Sequence, residues 1–462
     1  MFRSFFPEPK LFFSSAAIWL LATVLLWFAA GEPLRTVFSI DRFTHPAVAT
    51  TTAEAPPPAT EVPPPDQPAA TPETDAAAGD ESAAPAQQPQ AAAAVPDTAL
   101  NFLTAERVWL YQYVLMVAAL FCIFWYFYKR NEWYWWSVVG STGILLVIYF
   151  QVQVEAFVNE WSGAFFNTIQ SALTQPGSVT PDQLYGLTFV IIAVTLPSVL
   201  VSVVLAFVTS HYVFRWRKAM NFYYMRFWPQ IRTTEGAAQR VQEDTMRFAA
   251  IIEDLGTAFF ASLITLVVFL PLLWNLSANI SELPIFGAVP GGLVWVALVT
   301  AAAGTALLAL VGIKLPGLNF ANQRVEAAYR KELVFGEDRE DRAQPPTIRE
   351  LFADVQRNYF RLYFHYTYFN LARYGYTSMV GYVPLLVMAP SILAGTLTMG
   401  LYQQIQIAFG QVFSSFQFFA RAWTVIVELQ SVYMRLRKFE SYIPRDMEPV
   451  DPTLTDAPSA AQ

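Results

Sequence analysis

Uncharged apolar stretches recur along the chain, each close to the about 20 residues a helix needs to cross a bilayer core. Leu11–Gly31 carries no charge, Val108–Tyr128 runs between Arg107 and Lys129, and Trp133–Val154 runs between Glu132 and Glu155. Leu187–Phe214, Leu255–Leu276 and Gly292–Ile313 follow. Two further stretches are interrupted by polar residues. Tyr366–Leu393 contains Arg373, and Leu397–Leu429 contains Gln403, Gln404, Gln406, Gln411, Gln417, Arg421 and Glu428. The pattern predicts an all-α integral membrane protein with about eight transmembrane helices, the last long enough to project beyond the bilayer. The first stretch has Arg3 and Lys10 ahead of it and Ala29–Ala30 near its end, as a cleaved signal peptide would. Its apolar run is about twice the length of a signal-peptide core, so it is read as an uncleaved helix.

Placement of Lys and Arg gives the orientation. Arg215–Ala250 holds seven of them (Arg215, Arg217, Lys218, Arg226, Arg232, Arg240, Arg247) and Lys314–His365 holds nine. Lys129 and Arg130 occupy the turn between the second and third stretches, whereas Glu155–Gly186 and Asn275–Gly291 have none. Eight spans let these two classes of loop alternate without conflict. Both termini then fall on the cytoplasmic side, with Arg3 and Lys10 at one end and Arg435, Arg437 and Lys438 at the other.

The loops differ in kind. Thr44–Asp97 is rich in Ala and Pro, with eight acidic residues and no basic one, a composition that cannot bury enough apolar surface to offset chain entropy. It is expected to be disordered outside the membrane, with Pro56–Pro58 and Pro63–Pro65 favouring polyproline II, as a spacer or a cation-binding arm. Glu155–Ala172 reads as a helical extension past the outer membrane surface, ended by the turn chemistry of Gln175–Pro181. Leu318–Val334 has no Pro and reads as a helix continuing from a span into the cytoplasm; Phe214–Met246 does the same with a break near Pro229. The resulting division is a first helix and flank over 1–40, the insert over 41–98, a transporter body over 99–441 and a cytoplasmic tail over 442–462. Inward-projecting helices suit a transporter or exporter body better than a simple anchor.

Composition narrows the chemistry. Of 462 residues, 55% are hydrophobic and 14% charged, against about 25% charged in soluble domains. The net charge of −7 argues against nucleic acid, and the single Cys122 excludes a disulfide framework or a multi-cysteine metal site. No Gly-Lys pair occurs, so these residues contain no phosphate-cradling P-loop; no catalytic signature and no cofactor is implied. The acidic residues flanking the fifth and sixth spans carry more information. Glu326 and Glu337 are eleven residues apart, so an ideal helix puts them within about 20° of each other and about 16 Å apart along its axis. Glu243 and Asp254 share that relation. Carboxylates in a partly dehydrated cavity can exchange protons near neutrality, as a relay requires. The same spacing also fits a solvated face, since Glu243 has Arg240 and Arg247 within one turn and Glu326 has Arg330 at i+4. Glu253 sits two residues from an apolar run. Arg373 and Arg421 must face protein or water, as structural partners or substrate contacts. The Gln row, Gln404 and Gln411 among it, lines a cavity or binds helices together.

Several long stretches resemble the SbmA/BacA family of bacterial inner-membrane peptide-uptake transporters. They are SHYVFRWRKAMN (Ser210–Asn221), EGAAQRVQEDTMRFA (Glu235–Ala249), VGIKLPGLNFANQRVEAAYRKELVFGED (Val311–Asp338) and YFRLYFHYTYFNLAR (Tyr359–Arg373), with the opening MFRSFFPEP and the ending TVIVELQSVYMRLRKFE (Thr424–Glu440). The resemblance implies a six-helix body like the membrane domain of an ABC exporter, preceded by extra N-terminal helices and without a nucleotide-binding domain. It implies a homodimer in the inner membrane that imports peptides on the proton gradient by alternating access. Implied cargo includes microcins, proline-rich antimicrobial peptides and bleomycin-like glycopeptides. By resemblance the proton-carrying glutamates fall on Glu243, Glu253, Glu326 and Glu337. Phe335 stands where relatives commonly have Tyr, and the Thr44–Asp97 insert is longer than the family needs. Two alternatives stay open: a half-size transporter that borrows a separate ATPase, and a peptide receptor or envelope assembly factor that moves nothing.

Overall fold

The computed structural model describes residues 1–39 and 102–443, apart from 235, 281, 285, 286 and 340. The expected insert over 41–98 and nearly all of the tail over 442–462 lie outside the described residues. Helices longer than one turn are numbered in chain order: α1 (Pro9–Phe38), α2 (Ala105–Tyr128), α3 (Ser141–Thr174), α4 (Pro181–Arg226), α5 (Thr245–Ser277) and α6 (Gly292–Gly312). They continue with α7 (Leu315–Asp338), α8 (Pro345–Val380), α9 (Val383–Leu393), α10 (Met399–Phe416) and α11 (Phe418–Glu440). Among the described residues there is no strand beyond one isolated bridge between Leu283 and Gly287. Closed helices satisfy every backbone group internally, which is what a lipid environment demands.

Seven helical stretches are long and apolar enough to cross a membrane: Pro9–Gly31, Ala105–Tyr128, Trp135–Thr174, Pro181–Arg226, Ala237–Ser277, Gly292–Gly312 and Pro345–Leu393. They match the first seven expected spans. The eighth, Leu397–Leu429, falls short in apolarity and is not one helix. It breaks at Gln417 into α10 and α11, and the Arg421 guanidinium caps the break by donating to the Ser414 carbonyl. Two other continuities expected from sequence also break, both at prolines. Pro384 near the start of α9 separates it from α8, and Pro316 near the start of α7 separates it from α6. Pro229 interrupts the chain as expected, since α4 stops at Arg226 and only a short turn, Trp228–Ile231, follows.

The chain clusters into two units. In the smaller, Leu25–Gln112, Trp27 stacks on Trp109 at 6.4 Å and Gln112 donates to the Phe38 carbonyl at 2.6 Å. The larger comprises Met1–Val24 and Tyr113–Gln462 and holds everything described below.

Two apolar cores organise the larger unit. The first gathers Phe5, Phe6, Phe12, Trp125, Trp216, Phe248, Leu436 and Phe439. Here the opening segment serves as packing material: Phe5 stacks on Trp216 at 5.7 Å, Phe2 meets Phe248 edge-on at 5.6 Å, and Asn131 donates to the Phe5 carbonyl at 2.9 Å. At the edge of this core the π-helical turn Arg240–Asp244 leads into α5. Asp244, its side chain 2% exposed, accepts from Arg240 at 2.8 Å and from the Nη2 and Nε groups of Arg435 at 2.8 and 3.1 Å, tying the start of α5 to α11.

The second core centres on α10, whose Ile405, Ala408, Phe409 and Val412 pack with Val152 of α3, Phe269 and Leu273 of α5, and Leu293 and Ala297 of α6. Close approach of α3 and α10 depends on glycine. A methyl group at Gly400 would collide with the Gly163 carbonyl and with Asn167. Polar side chains of α3 then satisfy the start of α10. Gln170 accepts from Met399 N–H at 2.7 Å, Asn167 accepts from Gly400 N–H at 2.9 Å, and Asn159 donates to the Gln404 carbonyl at 2.7 Å. The Thr398 hydroxyl completes the cap by accepting from Leu401 N–H at 3.2 Å.

Gly400→Ala is expected to lower stability by about 1–3 kcal/mol through overpacking, read as a lower melting temperature in detergent. Gly410→Ala on the same helix meets open space and should be neutral or slightly stabilising, since Ala is the better helix former. Asp244→Asn strands two arginines and should cost about 3 kcal/mol, the scale for breaking a buried pair. Adding Arg435→Met should recover part of that loss in the same melting assay.

Candidate functional site

The acidic residues divide by what they touch. Glu243 lies on the π-helical turn before α5, where it pairs with Arg247 at 2.8 Å and accepts from Gln239 at 3.1 Å. Arg247 also reaches Glu428 of α11 at 3.6 Å. Glu243 is therefore held in an ion-pair network at the mouth of α5, and its count toward Asp254 begins in a π turn rather than a regular α-helix. Glu253, ten residues further on and inside α5, is half-buried against α4. It accepts from the Ser210 hydroxyl at 3.4 Å and has no basic partner among the described residues. Asp254 beside it is exposed.

α7 is uninterrupted from Leu315 to Asp338, so the eleven-residue relation of Glu326 and Glu337 holds on one face. That face also carries Asn319, seven residues before Glu326. α7 packs against α8 through two polar ties, Asn319 donating to the Tyr366 hydroxyl at 3.2 Å and Asn358 donating to Asn322 at 3.0 Å. Glu326 is half-buried in this polar row, and the pair with Arg330 that its spacing allows is not formed. Glu337 is exposed near the end of α7. Glu332, by contrast, is occupied: it pairs with Arg342 at 3.7 Å and accepts from Ala343 N–H at 3.2 Å, closing the turn between α7 and α8. Phe335 lies under two cations, Lys331 at 5.5 Å and Arg342 at 5.8 Å.

Residues of the last two spans separate in the same way. Gln404 packs its side chain against Gly163, where a methyl group would strike it, so it binds α10 to α3. Arg421 is spent on the Ser414 carbonyl at the α10–α11 break. Arg373 is exposed on α8 with its guanidinium 5.9 Å from the Tyr374 ring. Gln411 faces a cleft of ≈ 210 Å³ between α3, α5 and α10. Of the four residues singled out as cavity or substrate contacts, Gln411 alone lines this cleft.

Sequence reasoning missed Tyr376. Its hydroxyl donates to the Thr300 carbonyl at 2.6 Å and accepts from Gln417 at 3.2 Å, and its ring fills the space above Gly304. One tyrosine thus joins α8, α6 and the break in the last span. The signal available was a Gly in an apolar helix, which marks close approach but not by what. The Asn319–Tyr366 and Asn322–Asn358 ties were missed as well, although an Asn pair at i, i+3 on a helix entering the membrane hints at a polar seam.

Comparison with known proteins agrees with this architecture. The model of the SbmA/BacA-like family matches residues 130–444. The chain is 22% identical over 354 residues to the inner membrane ABC transporter ATP-binding protein YddA of Escherichia coli, covering 70% of this chain and 60% of that protein. It is 23% identical over 327 residues to an uncharacterized ABC transporter ATP-binding protein of Synechocystis, covering 67% and 47%. A Haemophilus influenzae protein of the same description is 21% identical over 234 residues, covering 49% and 39%. The chain therefore spans between 39% and 60% of the length of these relatives. The family match runs over more than half of the sequence and through every helix from α3 to α11, and with the two N-terminal helices counted seven stretches are long and apolar enough to cross a membrane; this chain belongs to the SbmA/BacA-like family.

Proposed function

We propose that this protein is a transporter that imports peptides, antimicrobial peptides and bleomycin-like glycopeptides included, across the bacterial inner membrane as a homodimer driven by the proton gradient. The observation that carries the reading is the pair of half-buried carboxylates without basic partners among the described residues, Glu253 on α5 and Glu326 on α7, while Glu243, Asp244 and Glu332 on the same stretches are tied to arginines. A tied carboxylate is held ionised by its partner, whereas an untied one near an apolar span can load and release a proton as its surroundings change. Glu243 and Glu337 extend the path at the two ends: Glu243 releases Arg247 when protonated, and Glu337 meets bulk water. Both termini lie in the cytoplasm in this reading, which takes α10 as an eighth crossing so that the loops rich in Lys and Arg all face inward.

One elementary charge crossing 100 mV is worth about 2.3 kcal/mol, so one or two protons suffice for modest accumulation of cargo. Each protomer supplies one wall of the cavity. Cargo enters from outside with protons, the helices carrying Glu253 and Glu326 change environment, and the cavity opens inward.

A second reading has support in the comparisons: three relatives are named as ABC transporter ATP-binding proteins. In that reading the chain is a membrane half working with a separate ATPase. These 462 residues contain no Gly-Lys pair and so no P-loop, which puts the ATPase of that reading on another chain.

Purified full chain reconstituted in vesicles is expected to take up a fluorescent proline-rich peptide when the outside is acidic. Protonophore should abolish uptake, and ATP should not change it. ATP-dependent uptake that ignores protonophore favours the second reading instead. Glu253→Gln should reduce uptake at least about ten-fold, the scale of losing one positioned proton carrier, with its melting temperature unchanged. Normal uptake by this variant removes Glu253 from the path.

A further inference from the structure

The cleft between α3, α5 and α10 holds a carboxylate that the relay above does not use. Its lining includes Gln151 and Glu155 of α3, Ser262 and Thr265 of α5, and Gln411 and Ser414 of α10. Sequence reading puts Glu155 at the outer limit of the third apolar run. The packing puts it deeper. Ser262 and Thr265 lie within the apolar run Leu255–Leu276 of α5, and Glu155 shares a cleft with them. Thr265 is eleven residues from Leu276, about 16 Å at a rise of 1.5 Å per residue. Glu155 is thus level with the middle of a neighbouring span, where an ionisable side chain marks a functional pathway by default.

Several of the polar groups around it present acceptors to the cleft. Ser414 and Ser415 commit their hydroxyl protons to the Gln411 carbonyl at 3.1 and 2.9 Å, leaving lone pairs toward the cleft. Gln151 commits one amide N–H to the Ser202 hydroxyl of α4 at 2.8 Å, leaving its carbonyl oxygen and one N–H. Glu155 forms no ion pair among the described residues, and no Lys, Arg or His lines the cleft. Ammonium and guanidinium groups have only donors, three and five respectively, and no acceptor. A cleft of ≈ 210 Å³ exceeds what a bare ion needs, at about 30 Å³ for each water it would otherwise hold, and is too small for a folded peptide. It suits one cationic side-chain head.

We propose that the Glu155 cleft is a recognition subsite for the guanidinium or ammonium group of cargo. The inference rests on the peptide-import reading. Within it, the site selects basic residues of the peptide, and the relay carboxylates remain free for protons. Glu155 is the sole ionisable side chain of the cleft, so selection tracks its charge.

The test is equilibrium binding to the purified full chain in lipid nanodiscs, followed by fluorescence polarisation. The probes are a fluorescein-labelled proline–arginine decapeptide and its counterpart with citrulline at every arginine. Wild type is expected to bind the arginine peptide about ten-fold more tightly, the scale of one charge-assisted contact. Glu155→Gln should erase that preference and Glu155→Asp should keep most of it. Equal binding of the two peptides by wild type overturns the proposal, even if Glu155→Gln fails to fold. A preference that persists in folded Glu155→Gln overturns it too. Uptake of both peptides by wild type under an imposed pH gradient is measured alongside. Absence of uptake with the arginine preference intact rejects import while leaving the subsite standing.

Discussion

A helix as polar as α10 can run through the apolar middle of this bundle only because α3 comes close enough to satisfy it. Gly163 and Gly400 remove the side chains that would hold the two backbones apart. Asn167 and Gln170 then accept from the Gly400 and Met399 N–H groups, which have no partner in their own helix, and Asn159 adds a bond to the Gln404 carbonyl further along. The close approach and the hydrogen bonds depend on each other. Without the glycines the side chains of α3 do not reach, and without those side chains the start of α10 would bury unsatisfied donors at a cost no apolar contact repays. Once α10 is fixed, the Leu273, Leu293 and Phe409 core forms around it, and the cleft holding Glu155 and Gln411 lies on its remaining polar side.

The distribution of charge follows the same economy. Asp244, Glu332 and Glu440 are engaged: Asp244 by two arginines, Glu332 by the turn after α7, Glu440 by the Tyr224 hydroxyl at 3.0 Å. These groups hold ends of helices together. Glu155, Glu253 and Glu326 have no cation of their own, and all three lie against membrane-spanning helices or their direct continuations. In a low-dielectric setting an unpaired carboxylate is costly in its charged form. A transporter can use that cost, because a proton or a cargo cation relieves it and the relief differs between conformations. The assignment of protons to Glu253 and Glu326, and of cargo cations to Glu155, divides the two roles between different helices.

Much of this was legible in the sequence for a simple reason. Apolar runs of membrane length leave few structural options, so seven spans and the all-α class follow from Leu11–Gly31 through Tyr366–Leu393 almost directly. Proline also spoke locally: Pro229 ends α4 as expected. Pro316 and Pro384 had the same power but sat inside or beside runs that hydropathy alone makes continuous. The break at Gln417 has no proline to announce it. It depends on a tertiary tie to Tyr376 and on Arg421 taking the Ser414 carbonyl, neither of which spacing encodes. The acidic columns show the same limit. Helical phase places Glu326 with Glu337 correctly, but whether a neighbouring arginine is engaged depends on packing: Arg247 takes Glu243, while Arg330 leaves Glu326 alone.

The claim on which the account turns is that cargo and protons move together through these carboxylates. Vesicles containing the purified chain and an internal pH dye, held at a negative inside potential, measure this directly. The account predicts that internal acidification begins when peptide is added outside and ceases when the peptide is exhausted. Peptide accumulating inside with no accompanying change of internal pH would contradict it.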